Sequence, residues 1–207
     1  ESMSLKALFK NKMLYLFVIL IMCAGACEQA ISQWASYFAE KGLGLSKATG
    51  DLIGPFSFAL LMGLGRLFYG LFGYKIHIKK MLPIAGASTL LCYIVAVVSN
   101  NAVVSLIACA MCGFTVSITW PGTLDSASKN LPRGGTAMFA LLALGGDIGC
   151  TLGPSIVGFV SDASEFQLKG GIAAASIFAV LFFISSMILL KKDGSKSPAL
   201  LNENTHY

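Results

Sequence analysis

Six long apolar segments, separated by short polar connections, constrain this chain more than any other feature of its sequence. A helix needs about 20 consecutive apolar residues to cross the hydrocarbon core of a bilayer. Only 12% of the residues are charged, about half the share that covers a soluble domain with a water-facing surface. The sequence therefore predicts an all-α membrane protein with six transmembrane helices. The segments run at about 13–39, 48–73, 81–99, 102–124, 135–161 and 171–190.

The segments divide the chain into three parts. Residues 1–12 form a lead-in, residues 13–190 form a six-helix transmembrane domain, and residues 191–207 form a polar tail. The tail has no apolar period, so we expect it to be disordered.

Lysine and arginine are distributed unevenly between the two ends of the predicted helices. Basic residues in short loops mark the cytoplasmic side, so both termini are expected in the cytoplasm of a multi-pass cell-membrane protein. The net charge of +5 then reports topology, and no nucleic-acid partner is predicted. One end holds Lys6, Lys10, Lys12, Arg66, Lys75, Lys79, Lys80, Lys129, Arg133, Lys191, Lys192 and Lys196. The other end holds only Lys41, Lys47 and Lys169.

The composition gives no support for an enzyme, a cofactor or a metal site. All six cysteines lie within apolar segments, which argues against a disulfide framework. Cys109 and Cys112 have CxxC spacing but lie on a helix without polar ligands, so they are interpreted as small buried residues. His77 lies in a basic loop and His206 in the tail, without candidate catalytic partners.

The first segment carries a long polar stripe on one side of its helix. At 3.6 residues per turn, the six residues of the stripe share a face that is too polar for lipid. Interhelical hydrogen bonding is one interpretation, and a water-filled cavity is the other. We favour the cavity, with Glu28, Gln29 and Gln33 binding solute and Glu28 carrying a proton. The stripe consists of Glu28, Gln29, Ser32, Gln33, Ser36 and Tyr37.

The fifth segment contains Asp147 in the string GGDIGCTLGPSIVG. An aspartate at this depth either binds a proton or polar solute, or accepts hydrogen bonds from a neighbouring helix. Gly149 and Gly153 lie one turn apart, so another backbone can approach closely there. Pro154 removes a helical hydrogen bond and favours a bend. We interpret Gly149, Gly153 and Pro154 as positions where the helix packs tightly and moves during gating.

Three further residues lie in or near the predicted helices. Arg66 and Asp125 fall near the basic ends of the second and fourth segments, where an arginine paired with an acid would hold that side closed. Alternatively, Arg66 only extends toward the lipid headgroups. Trp120 either stacks on a sugar-like ring or fills a gap between helices.

Several strings resemble the major facilitator superfamily. The string GLGRLFYGLFGYKIHIKK, at 63–80, is similar to the basic loop motif of that family, although Tyr69 and Gly70 stand where its acid is expected. GCTLGPSIVG is similar to the glycine-proline motif of the fifth or eleventh helix. The sequences at 28–55 and 119–149 look like helices seven to eight and ten to eleven of bacterial members, nearest to fucose-permease-like sugar transporters.

The resemblance implies that the chain forms one half, helices seven to twelve, of a twelve-helix fold. Its partners would then be the lipid bilayer, a small-molecule solute, and either the missing N-terminal six-helix half or a second copy of the chain. Such proteins move solute by rocking the two halves around a site at mid-membrane. Glu28, Gln29 and Gln33 map to the seventh helix, Trp120 to the tenth and Asp147 to the eleventh.

Three functions are compatible with these features. The first is secondary active transport of a small polar solute, sugar-like or another organic molecule, coupled to protons through Glu28 or Asp147. The second is efflux of amphiphilic compounds, against which the polar stripe argues. The third is a scaffold or assembly subunit that transports nothing.

Overall fold

The chain folds into long helices. In the computed structural model, which describes residues 3–75, 77–165 and 167–194, there are eight α-helices, one 3₁₀ turn at Gly73–Lys75 and no strand. The helices are α1 (Leu5–Lys10), α2 (Lys12–Leu43), α3 (Lys47–Phe72), α4 (Ile78–Val98), α5 (Ala102–Val116), α6 (Thr119–Asn130), α7 (Gly135–Ala163) and α8 (Gln167–Gly194).

The predicted six membrane spans are confirmed. Each span is a helical stretch of 21 to 30 residues whose length and hydropathy suit a bilayer crossing. Five of the spans are formed by α2, α3, α4, α7 and α8, and the fourth is formed by α5 and α6 together.

The fourth span differs from its prediction as one helix at 102–124. It continues to Asn130 and is broken by a turn at Ser117 and Ile118. Pro121 has no N–H to donate to the carbonyl of Ser117, so the regular hydrogen-bond ladder is interrupted there. The hydroxyl of Ser117 also donates to the carbonyl of Phe114 at 2.7 Å, which competes with the ladder. The resulting break separates α6 from α5.

Short polar residues fix where the spans begin. Asn11, Ser46 and Asn101 precede α2, α3 and α5, and each side chain accepts a hydrogen bond from a backbone N–H of the first turn. Gly44 has a φ of 65°, a left-handed conformation that a glycine adopts without strain. It ends α2 and allows the chain to reverse into α3.

Helix α2 is the centre of the bundle and packs against α7 on one side. Gly149 and Gly153 of α7 face the backbones of Met22 and Ala26 so closely that a Cβ at either glycine would overlap main-chain atoms. On another side, the hydroxyl of Tyr93 in α4 donates to the carbonyl of Cys27 at 2.9 Å. Helix α8 packs against both α4 and α2. This arrangement leaves α2, α3, α6 and α7 to form the two cavities of the candidate functional site.

The two ends of the domain extend beyond the predicted boundaries. In the lead-in, α1 buries Leu8, and the N–H of Met3 donates to the carbonyl of Arg133 at 2.7 Å. The last helix, α8, runs to Gly194 rather than ending near residue 190. The rest of the predicted tail, residues 195–207, lies outside the described residues.

All six cysteines are free thiols. In the described part of the chain, no group of three or more His, Cys, Asp or Glu residues is arranged to hold a metal ion.

Candidate functional site

The first candidate site is a cavity of about 470 Å³ between α2, α3 and α6, which we call the Glu28 cavity. It combines one acid, one base and two aromatic side chains in a part of the molecule otherwise built from apolar helices. Its lining residues are Glu28, Arg66, Tyr69, Trp120, Pro121 and Leu124.

An ion pair joins α2 to α3 in this cavity. Nη2 of Arg66 lies 3.4 Å from Oε2 of Glu28 and donates a hydrogen bond to it. The Glu28 side chain is only 13% exposed, whereas that of Arg66 is 45% exposed. The arginine therefore neutralises a largely buried carboxylate and still presents part of its guanidinium to the cavity.

Arg66 had two interpretations in the sequence, and the structure gives it an acidic partner. That partner is Glu28, which is 38 residues away in the chain. Asp125 instead accepts a hydrogen bond at 2.8 Å from Nζ of Lys129, one turn further along α6. The two residues predicted as gating candidates at this end thus belong to separate ion pairs.

Trp120 connects the Glu28 cavity to α7. A Cβ at Gly146 would overlap the six-membered ring of Trp120, so this glycine provides the space in which the indole rests against α7. The side chain is half-buried and lines the Glu28 cavity with the part of its surface that α7 does not cover. It therefore fills a gap between helices and also faces the cavity, and its stacking on a sugar-like ring stays a prediction.

Asp147 follows Gly146 directly but lines neither this cavity nor the one described next. It is exposed on α7, and its main-chain carbonyl accepts a hydrogen bond from the hydroxyl of Thr151 at 3.0 Å. Among the described residues, the Asp147 carboxylate has no hydrogen-bond or ion-pair partner. The neighbouring-helix interpretation of Asp147 is therefore not seen in this arrangement.

A larger cavity of about 880 Å³ lies between the far ends of α2 and α3 and the middle of α7. We call it the Asp51 cavity. Its lining is polar on the α2 and α3 sides and is completed by α7. The lining residues are Gln33, Trp34, Ser36, Tyr37, Glu40, Lys47, Asp51, Cys150, Thr151, Pro154 and Ser155.

The polar stripe of α2 connects the two cavities. Glu28 lines the first cavity and Gln33 the second, while half-buried Gln29 lies between them. Nε2 of Gln33 donates to Oε1 of Gln29 at 3.2 Å, so the two carboxamides form a short chain along the helix. Four of the six stripe residues thus line one of the two cavities: Glu28, Gln33, Ser36 and Tyr37.

Two contacts of the Asp51 cavity were not predicted. The hydroxyl of Ser36 donates to Oδ1 of Asp51, and Nε1 of Trp34 donates to the carbonyl of Pro154 at 3.4 Å. A signal for the first contact exists in the sequence: Gly50 and Gly54 are one turn apart on α3, and both lie against the α2 backbone near Ser36. No comparable signal points from Trp34 to α7, because that contact depends on how α2 and α7 cross.

The cavities of this multi-pass membrane protein lie between long membrane-spanning helices, with charged and carboxamide side chains lining them. The sequence model of the Major Facilitator Superfamily matches residues 2–154, and the chain belongs to that family. Comparisons with curated proteins and with solved structures each gave no match. Members of the family are generally membrane transporters rather than enzymes, and six spans agree with one half of the family fold.

Proposed function

We propose that the chain forms helices seven to twelve of a secondary active transporter that moves a small polar solute by alternating access. The observation that carries the proposal is the Glu28–Arg66 ion pair, which lies beside Trp120 in a cavity between membrane-spanning helices. Ionisable side chains at membrane depth are costly, so a pair kept there points to a role in binding or coupling.

The ion pair provides a simple means of proton coupling. Protonation of Glu28 would cancel the charge that attracts Arg66 and weaken the connection between α2 and α3. Loss of the proton would restore the connection. Asp147, an exposed residue of α7, is a second candidate proton site. Binding and release of a proton would then favour different arrangements of these helices.

The lining of the two cavities favours a hydroxyl-rich solute. Gln33, which lines the Asp51 cavity, and Gln29 beside it supply both donors and acceptors, and Trp120 offers an aromatic surface on which a sugar-like ring can stack. This chemistry is compatible with a member of the fucose-permease-like group of bacterial sugar transporters. The mixed polar lining gives less support to efflux of amphiphilic compounds.

A solute with a carboxylate is a second candidate, because nearly half of the Arg66 side chain is exposed at the Glu28 cavity. A planar guanidinium binds carboxylates through two parallel hydrogen bonds. Inhibition of uptake by acidic sugars, such as uronic acids, but not by neutral ones would favour this class.

Closure of the site requires a second wall. We propose that the N-terminal six-helix half, or a second copy of the chain, covers the cavity side. Gly149 and Gly153 allow α7 to lie against α2 without intervening side chains, and Pro154 lacks the N–H that would tie it to the preceding turn. These positions would permit α7 to shift during transport.

The coupling role is tested by Glu28→Gln in proteoliposomes of the complete transporter. The probes are radiolabelled L-fucose and related monosaccharides, and the proton gradient is directed into the vesicles. Under these conditions we expect pH-driven uptake to fall at least tenfold. Counterflow exchange, which requires no net proton movement, should stay within about twofold of the parent. Glu165→Gln, which removes an exposed acid in the turn before α8, is the matched control.

Proton-driven uptake unchanged in Glu28→Gln would contradict the coupling role. Binding of a monosaccharide without any flux would instead favour a non-transporting membrane subunit.

A further inference from the structure

A third cavity, of about 610 Å³, lies at the end of the bundle where α3 and α6 finish and α4 begins. Four lysines and one aspartate line it, which leaves a formal excess of three positive charges. We call it the lysine cavity. The charged residues are Lys75, Lys79, Lys80, Lys129 and Asp125.

The lysines converge on this space from separate elements. Lys75 ends the 3₁₀ turn after α3, Lys79 and Lys80 lie in the first turn of α4, and Lys129 lies near the end of α6. Oδ2 of Asp125 forms an ion pair at 2.8 Å with Nζ of Lys129, so the charge of this aspartate is balanced at one edge of the cavity. Such a concave group of cations differs from single lysines scattered over a helix surface.

We propose that the lysine cavity binds the phosphate headgroup of an anionic phospholipid. Phosphate is the complementary anion for a cluster of ammonium groups, and basic pockets between transmembrane helices are suited to such headgroups. Net positive charge at this end of the spans also fits proximity to an anionic leaflet.

The surroundings favour a lipid over a soluble phosphate. Ile78 and Leu190 contribute apolar surface to the cavity wall. Phe72 and Leu71, in the last turn of α3 beside the cavity, are exposed apolar side chains of a membrane span. A headgroup in the cavity would therefore have its acyl chains next to a surface that is already apolar.

The test compares lipids on the purified full chain. Phosphatidylglycerol should raise the thermal midpoint by several degrees more than phosphatidylcholine. The variant K79Q/K80Q should lose at least half of this difference. The control K6Q/K10Q removes the same charge from exposed lysines of α1, which lie outside the cavity, and should retain the difference.

Three results would overturn the proposal. They are an equal effect of the two lipids, an equal loss in both double variants, or a full effect from inorganic phosphate alone. If K79Q/K80Q does not fold, K80Q changes only an exposed lysine, and native mass spectrometry can count the phosphatidylglycerol molecules it retains. Fewer retained molecules than in the parent would support the site, and an unchanged number would overturn it. Neither readout depends on transport, so this test of the lysine cavity is independent of the proposed function.

Discussion

At the scale of single residues, the Glu28–Arg66 pair combines a largely buried acid with a half-exposed base. Removal of one partner from a buried ion pair leaves an uncompensated charge, which costs more than the pair itself contributes. The exposed half of Arg66 and the ability of Glu28 to take up a proton reduce that cost here.

We predict that Arg66→Gln lowers the free energy of unfolding by about 1–2 kcal/mol, because the Glu28 carboxylate loses its counter-charge. The double variant E28Q/R66Q should recover most of this loss, since no charge then remains unpaired. The free energy of unfolding of Arg66→Lys should lie between those of the parent and of Arg66→Gln. Chemical denaturation of the reconstituted protein, followed by tryptophan fluorescence, measures all three.

The matched control is Lys129→Gln, which breaks an ion pair that is far more exposed. The Lys129 side chain is 61% exposed and that of Asp125 33%. Lys129→Gln should therefore change the free energy of unfolding by no more than about 1 kcal/mol. Equal losses in Lys129→Gln and Arg66→Gln, or no recovery in the double variant, would contradict a special role for the buried pair.

The sequence identified Glu28 and Arg66 individually, because ionisable residues are conspicuous in apolar segments. It did not identify them as partners. Two residues 38 positions apart meet only through the crossing of α2 and α3, and helical periodicity describes each helix alone. The same limit explains why the contact between Trp34 and Pro154 was not predicted.

At the scale of the helices, the contact between α2 and α7 depends on glycines rather than on interlocking side chains. Gly149 lies against the carbonyl and Cα of Met22, and Gly153 lies against the backbone of Ala26. Close approach of backbones gives large van der Waals contact between helices in lipid, where no hydrophobic effect drives them together.

We predict that Gly149→Ala destabilises the bundle by about 1–3 kcal/mol, because the added methyl group forces α2 and α7 apart. Gly63→Ala, on α3, should be neutral or stabilise by up to about 1 kcal/mol, because a Cβ there meets no atom within 4 Å and alanine favours the helix. The thermal midpoints of the two variants in the same detergent provide the comparison. An equal response of the two would exclude tight packing at Gly149.

The sequence predicted the number of spans and most of their edges but not the break in the fourth. The span that contains Ser117 and Ile118 is apolar enough on average to cross a bilayer, so its mean hydropathy gives no sign of an interruption. Pro121 is visible in the sequence, yet a proline in a membrane helix produces either a bend or a break, depending on its neighbours.

At the scale of the whole molecule, the two ends of the bundle differ in charge. One end contains the lysine cavity. At the opposite end, Nζ of Lys169 donates to the carbonyl of Ser99 at 2.5 Å, which links the connection before α5 to the first turn of α8. This lysine is therefore engaged by the protein.

We predict that the lysine-rich end faces the cytoplasm. A protease site inserted after Lys75 should be cleaved in inverted vesicles and protected in intact cells. A site inserted after Gly44, at the opposite end, should show the reverse pattern. Cleavage from the same side at both positions would contradict the single span between them. If the two patterns are exchanged, the lysine-rich end faces away from the cytoplasm and the predicted orientation is wrong.

The sequence predicted the side of α2 that faces the cavities but not the cavities themselves. The stripe from Glu28 to Tyr37 identified the polar face of one helix, whereas the cavity volumes depend on where α3, α6 and α7 end and break. Asp147 shows the same limit: its position near the middle of the fifth span follows from the sequence, but the surroundings of its carboxylate do not.

The pairing of α2 with α7 has a consequence for biosynthesis. About 120 residues separate Gly25 from Gly146, which lie in contact, and ribosomes add roughly 5–20 residues per second. The first span thus waits on the order of ten seconds for α7, its main partner, whereas Arg66 of α3 follows Glu28 by only 38 residues. Until α3 is made, α2 depends on the insertion machinery or a chaperone to shield its acid from lipid.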